Sequence, residues 1–265
     1  MLANMLLALY LVTGFWVGSV ISSYFNVVIA RGFIKSLWQS SYCDSCGNPL
    51  KSWQLIPVIS STYYLFVKSP CCGKKTTINY LITEILGGIT GLLIVLRLET
   101  STLSLPSIIL LILAITLFLY LAIEDIWKYE INITLAVSLI VGFFLWANIL
   151  PHSIVEVFSS TPQLLAAIIY GLIVLLLIIF SKGKGLGVGD IYLVFFMGLS
   201  LGLRNALIAL QISIYTSALV GIMVAIFKKK YKGLIIPLVP FLFLGWLVVI
   251  SFPLFPAAVL HLLGF

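Results

Sequence analysis

PSIILLILAITLFLYLAIEDIWKYEIN, residues 106 to 132, decides the architecture of this chain. Its first part is an uncharged apolar run close to the ~20 residues that a helix needs to cross the hydrocarbon of a bilayer. Charge arrives only at the end, as Glu124, Asp125, Lys128 and Glu130. Runs of the same kind lie near 5–30, 79–96, 106–124, 131–150, 163–181, 191–203, 206–227 and 234–250, with a last apolar piece at 253–265. Of the 265 residues, 62% are apolar and only 9% are charged, whereas a soluble domain has about 45–50% and about 25%. That is too little charge to solvate a globular surface, which sets aside a soluble enzyme, a disordered chain and a nucleic-acid-binding domain. The runs are continuous instead of alternating with polar residues, which disfavours a β-barrel. The expected fold is all-α: a polytopic membrane protein with about eight transmembrane helices. The run at 191–203 is short, reaching roughly 20 Å against a hydrocarbon core of about 30 Å. It must begin within the membrane, borrow flanking residues or line a water-filled cavity. The piece at 253–265, with Pro253, Pro256 and His261, reads either as a re-entrant or interfacial segment or as a ninth span.

The few charges are arranged as a topology signal. Arg31, Lys35, Lys51, Lys68, Lys74, Lys75, Lys128, Lys182, Lys184, Lys228, Lys229, Lys230 and Lys232 fall in alternate loops, 13 of the 15 basic residues, while Arg97 and Arg204 fall in the others. Basic residues are retained on the cytoplasmic side, so the N-terminus is expected outside and the polar loop inside. The first run has no basic n-region, is longer than a signal h-region and is followed by Arg31, so it reads as a retained helix and not a cleaved signal. The expected organisation is a first transmembrane helix at 1–31, a cytoplasmic loop domain at 32–78 and a helical bundle at 79–265.

All four cysteines lie in that loop, as CDSC at 43–46 and SPCCG at 69–73. In a reducing compartment a structural disulfide is disfavoured. Two cysteine pairs in a small polar insertion instead suggest a structural zinc knuckle formed by Cys43, Cys46, Cys71 and Cys72, with the metal standing in for a core that so short a segment cannot build. Ser69 stands where a cysteine would complete Cys-x-x-Cys with Cys72, and adjacent Cys71 and Cys72 are expected to bind together only with a strained backbone. The alternative is a metal-free loop with ordinary thiols.

A carboxylate in or beside a spanning helix is costly and marks a candidate site. Asp125 ends the third run and Asp190 opens the sixth, both on the expected cytoplasmic side, so the two are able to meet. Paired aspartates can share one proton, the ionised partner activating water for attack on a peptide carbonyl and the protonated one polarising it. Gly183, Gly185, Gly187 and Gly189 would let an extended substrate backbone come close. The structural alternatives are a helix-capping role for Asp190 and a surface ion pair of Asp125 with Lys128. Glu124 and Glu130 compete as candidates, but neighbours on a helix point about 100° apart. Asn26, inside an apolar run, is expected to tie helices together.

Five segments resemble, in order, those of the prepilin peptidases, or type IV leader peptidases, which are GxGD-type membrane aspartyl proteases. They are SSYFNVVIARG (22–32), WQLIPVIS (53–60), INYLITEILGG (78–88) with Tyr80 and Glu84, Asp125 with Ile131 six residues on, and GVGD (187–190). The resemblance implies a catalytic dyad of Asp125 and Asp190, supported by Gly187, Gly189 and Glu84. It also implies prepilin or pseudopilin substrates cut on the cytoplasmic face of a bacterial inner membrane, after a glycine ending a basic leader. Members with the cysteine loop commonly also methylate the new N-terminus with S-adenosylmethionine, and Glu84 and the loop are candidates for that activity. Three departures stand out: Asn132 in place of a proline, Ser69 in the second cysteine pair, and a divergent loop. The rival from another class is an ion or proton-coupled transporter using the membrane-facing aspartates, although the two halves show no convincing repeat.

Overall fold

The computed structural model describes residues 2–38, 40–43, 45–99, 104–149, 163–181, 186–229 and 235–252. Those residues form an all-α protein, with no strand among them beyond an isolated bridge between Tyr42 and Pro49. They fall into two compact units, Met1–Glu99 and Thr100–Phe265. Five helices are long and apolar enough to cross a membrane: Met5–Arg31, Ile78–Glu99, Leu105–Lys128, Gln163–Ser181 and Val188–Lys228. Two shorter apolar helices, Ile133–Leu145 and Val239–Ser251, accompany them. The apolar piece at 253–265 lies outside the described residues, as do Gly183 and Gly185.

The first unit contains α1 (Leu2–Arg31), α2 (Phe33–Trp38), a 3-10 turn at Ser52–Leu55, α3 (Ile59–Phe66) and α4 (Ile78–Glu99). In lipid no hydrophobic force draws apolar helices together, so they associate through small residues and hydrogen bonds. Gly14 and Gly18 of α1 meet Gly87 and Gly91 of α4, each pair spaced by four. A methyl group on Gly18 would collide with the Gly87 carbonyl oxygen, and one on Gly91 with that of Gly14. Polar groups reinforce the seam. The Asn26 amide donates to Thr83 Oγ1 at 2.8 Å, and Ser19 Oγ donates to the Glu84 carbonyl at 3.0 Å. Asn26 thus joins α1 to α4, as its burial in an apolar helix requires.

The second unit contains α5 (Leu105–Lys128), α6 (Ile133–Ile149), α7 (Gln163–Ser181), α8 (Val188–Lys228) and α9 (Val239–Ser251). The sixth and seventh apolar runs, expected as separate helices at 191–203 and 206–227, are two helices that meet at a kink at Gly202 and are named together as α8. Unbroken, its 41 residues would reach ~60 Å, about twice the hydrocarbon thickness. Buried Gly202, at φ 73°, takes a conformation that costs other residues dearly. Beside the break, Tyr170 Oη of α7 donates to the Leu203 carbonyl at 2.6 Å. Phe118 of α5 lies 5.8 Å from Phe196 of α8 and 5.3 Å from Phe243 of α9, ring centre to ring centre. Trp246 of α9 joins this buried cluster and donates its indole N–H to Ser200 Oγ at 2.9 Å. The cluster holds α5, α8 and α9 together about two helical turns from Asp125 and six residues from Asp190.

Candidate active site and metal centre

Asp125 and Asp190 are both buried, each 7% exposed. Each is held by a main-chain donor at the start of a helix. Val239 N–H, in the first turn of α9, donates to Asp125 Oδ2 at 3.0 Å. Gly187 N–H, just before α8, donates to Asp190 Oδ2 at 2.8 Å. The first N–H groups of a helix lack partners within it and carry partial positive charge, so they suit a carboxylate. Asp190 therefore does cap its own helix, through the Gly187 N–H. The alternative of an ion pair between Asp125 and Lys128 is not the one that forms: Lys128 Nζ lies 2.8 Å from Glu124 Oε1, at the i,i+4 spacing that brings helix side chains together.

The α5–α6 turn leads directly to Asp190. Tyr129 adopts φ 56°, and its N–H donates to the Asp125 carbonyl at 2.9 Å. Asn132 then caps α6, its Oδ1 accepting from Thr134 N–H at 3.0 Å. The close approach at Gly189 is made by Ile131: a methyl on Gly189 would fall 2.5 Å from Ile131 Cγ1. At Gly187 an added methyl would meet nothing closer than 3.8 Å.

In the first unit Glu84 is 3% exposed. Its Oε2 accepts from Val58 N–H and from Ser61 Oγ, each at 2.6 Å, so it anchors the first turn of α3 to α4. Arg31, at the end of α1, donates to the Tyr42 carbonyl at 2.7 Å and lies 3.5 Å from the centre of the Tyr42 ring. The polar loop is thereby fastened near its start, at Tyr42, and between its cysteine pairs, at Val58 and Ser61.

The sulfurs of Cys43, Cys46, Cys71 and Cys72 all lie within 4.8 Å of one another and could hold a metal ion. Cys43 Sγ and Cys72 Sγ are 3.8 Å apart, the ~3.8 Å edge of a tetrahedron with Zn–S bonds near 2.3 Å. Two matching turns present them. Gly47 N–H donates to the Cys43 carbonyl, and Gly73 N–H to the Ser69 carbonyl, both at 2.8 Å. Gly47 and Gly73 both have positive φ, at 74° and 69°. Ser69 thus occupies in the second turn the place of Cys43 in the first, and Cys71 supplies the missing sulfur, 3.2 Å from Ser69 Oγ. The strain expected at the adjacent cysteines does not arise in φ: Gly73 takes the left-handed conformation, and neither Cys71 nor Cys72 has positive φ. The backbone amide of Asn48 favours the Cys46 thiolate. Crowding by the Cys71 and Cys43 thiols and partial desolvation outweigh it and push Cys46 up to about 11.

Main-chain donors were not legible as sites in the sequence. Val239 N–H has no residue signature beyond Pro240, a common residue in the first turn of a helix. The glycine seam of α1 and α4 was readable from its four-residue spacing.

Fold and clusters together define an all-α polytopic membrane protein with a pair of buried aspartates and a four-cysteine cluster. A family model, the bacterial peptidase A24 N-terminal domain, matches residues 16–98. A prepilin leader peptidase/N-methyltransferase of Neisseria gonorrhoeae is 29% identical over 201 residues, covering 73% of this chain and 64% of that protein. One of Pseudomonas putida is 24% identical over 234 residues, covering 85% of this chain and 77% of that protein. The chain thus spans less than two thirds of the length of the Neisseria relative. No solved structure matches it significantly. These matches support a likeness to the prepilin peptidase family.

Proposed function

We propose that this protein is a membrane aspartic endopeptidase that removes the basic leader of type IV prepilins or pseudopilins, with Asp125 and Asp190 as its catalytic pair. The observation that supports this is a pair of buried aspartates, each with one carboxylate oxygen held by a main-chain N–H at the start of a helix. One ionised carboxylate takes a proton from water as the water oxygen attacks the scissile carbonyl carbon. The other, protonated, donates to the carbonyl oxygen and stabilises the tetrahedral intermediate. The C–N bond then breaks, and the departing amine receives its proton from a carboxyl group. A substrate held by its own apolar helix must unwind at the cut, because a helix shields its peptide groups; glycine there lowers that cost.

The basic residues support an inner-membrane protein with the aspartates and the cysteine loop facing the cytoplasm, where a pilin leader lies. The four thiols fit a structural zinc ion. Bound there, zinc would crosslink the two turns of the loop and leave no open position for catalysis. The names of the relatives also support methylation of the new N-terminus, with S-adenosylmethionine as donor. Glu84, engaged with α3, supports the loop in this account and is given no part in methyl transfer.

Purified protein in nanodiscs with a synthetic prepilin tests the assignment. Wild type is expected to cleave after the glycine, and Asp125→Asn and Asp190→Asn are each expected to abolish cleavage while remaining folded. Processing by either variant would overturn the dyad. A proton flux without cleavage would point to transport instead. A product heavier by ~14 Da when S-adenosylmethionine is supplied would establish methyl transfer.

A further inference from the structure

Glu124 is as deeply buried as the aspartate that follows it, 5% against 7% exposed. Adjacent helix residues point about 100° apart, so it serves a different contact. Its Oε1 meets Lys128 Nζ at 2.8 Å, and its Oε2 accepts the backbone N–H of Asn132 at 2.9 Å. Lys128 supplies the opposite charge that a buried carboxylate requires. The Asn132 contact spans the whole α5–α6 turn and draws its far end back onto α5. Ile131, the residue before Asn132, fills the space at Gly189, and Gly189 immediately precedes Asp190. The path is continuous: Glu124 holds Asn132, the turn sets Ile131, Ile131 packs on Gly189, and Gly189 carries Asp190.

We propose that Glu124 is a positioning residue which, through the Asn132 N–H and Ile131, sets the Gly187–Asp190 segment against Asp125. The proposal rests on the aspartic endopeptidase reading above for its catalytic consequence, though not for its structural one. Glu124 and Asn132 act as a pair. A proline at 132 would offer no N–H and would leave Glu124 Oε2 without this donor in a buried place, a costly state.

The test compares full-length Glu124→Gln, Glu124→Leu and Asn132→Pro with wild type in nanodiscs, by backbone hydrogen exchange and by prepilin cleavage. Glu124→Gln keeps an acceptor for Asn132 and is expected to match wild type in both. Glu124→Leu is expected to raise exchange in 129–135 and also in 186–192, and to lower kcat by about a hundredfold with KM unchanged, as a misplacement near 1 Å can do. Asn132→Pro breaks the contact from its other side, so adding Glu124→Leu to it should bring little further loss. Unchanged exchange at 186–192 in Glu124→Leu, or full additivity of the two substitutions, would overturn the proposal. If wild type fails to cleave, the endopeptidase reading fails, and the exchange data still decide whether Glu124 positions the Asp190 segment.

Discussion

Val239 N–H donates to Asp125 Oδ2 at 3.0 Å across 114 residues of sequence. The contact delivers the N-terminus of α9 to a carboxylate at the end of α5. Asp190 receives the equivalent donor from the residues that begin its own helix. In both cases Oδ2 is the oxygen engaged, so each carboxylate is oriented by the main chain, which cannot swing away as a side-chain partner can.

Stability and activity should therefore separate at these positions. Asn in place of Asp125 or Asp190 still offers an acceptor to the same N–H, so both Asn variants should unfold near the wild-type temperature while losing cleavage. Asp125→Leu orphans the buried Val239 N–H and should cost about 1–3 kcal/mol. Thermal unfolding of the three variants in one lipid composition distinguishes the two effects.

The glycine seam predicts a different failure. Gly91→Val puts branched carbon where the Gly14 carbonyl sits, and misfit of this kind costs typically ~1–3 kcal/mol or more. Thr83→Val removes only the hydroxyl shared with Asn26, and interhelical hydrogen bonds in membranes average about 0.6 kcal/mol. Gly91→Val should thus lower the unfolding temperature more than Thr83→Val, measured in the same nanodiscs.

Metal loading should depend on pH in a definite direction. With Cys46 pushed up to about 11 in the absence of metal, its thiol is protonated at neutral pH, and binding must displace that proton. Apparent zinc affinity should rise from pH 6 to pH 8 and fall on acidification, as read by competition with a chelator. Cys43→Ser should lose the ion at either pH.

The displaced ligand at position 71 can be moved back. Ser69 and Cys43 occupy equivalent places in their turns, so Ser69→Cys combined with Cys71→Ser should still bind one cobalt ion with the absorption of four thiolates. Cys71→Ser alone should show a weaker, three-thiolate spectrum. An unchanged spectrum in that single variant would remove Cys71 from the ligand set.

The apolar runs foretold the helices because a spanning segment is defined by its own composition. The break in α8 at Gly202 lies beside the gap between the apolar runs at 191–203 and 206–227. Asp125 and Asp190 stood out because acid is costly beside an apolar run. Less legible were contacts that depend on where the backbone arrives: Val239 on Asp125, Ile131 on Gly189, and the Ser61 and Val58 donors on Glu84. Helix geometry alone leaves the partner of Lys128 open between i+3 and i+4, and the structure takes Glu124. The backbone strain expected where adjacent Cys71 and Cys72 bind together is avoided because the left-handed conformation falls on Gly73, which the cysteine spacing alone does not reveal.

The seam between α1 and α4 also has a history during synthesis. Residues 32–77 separate the two helices, so at ~5–20 residues per second α1 waits several seconds in the membrane before its partner is made. During that interval Asn26 and the glycine face have no α4 to meet, and a second nascent chain or a neighbouring helix offers the same small-residue surface. Slowed translation over the cysteine loop would lengthen the wait and favour mispaired chains. The yield of correctly assembled protein should accordingly respond to codon choice in a segment that encodes none of the seam.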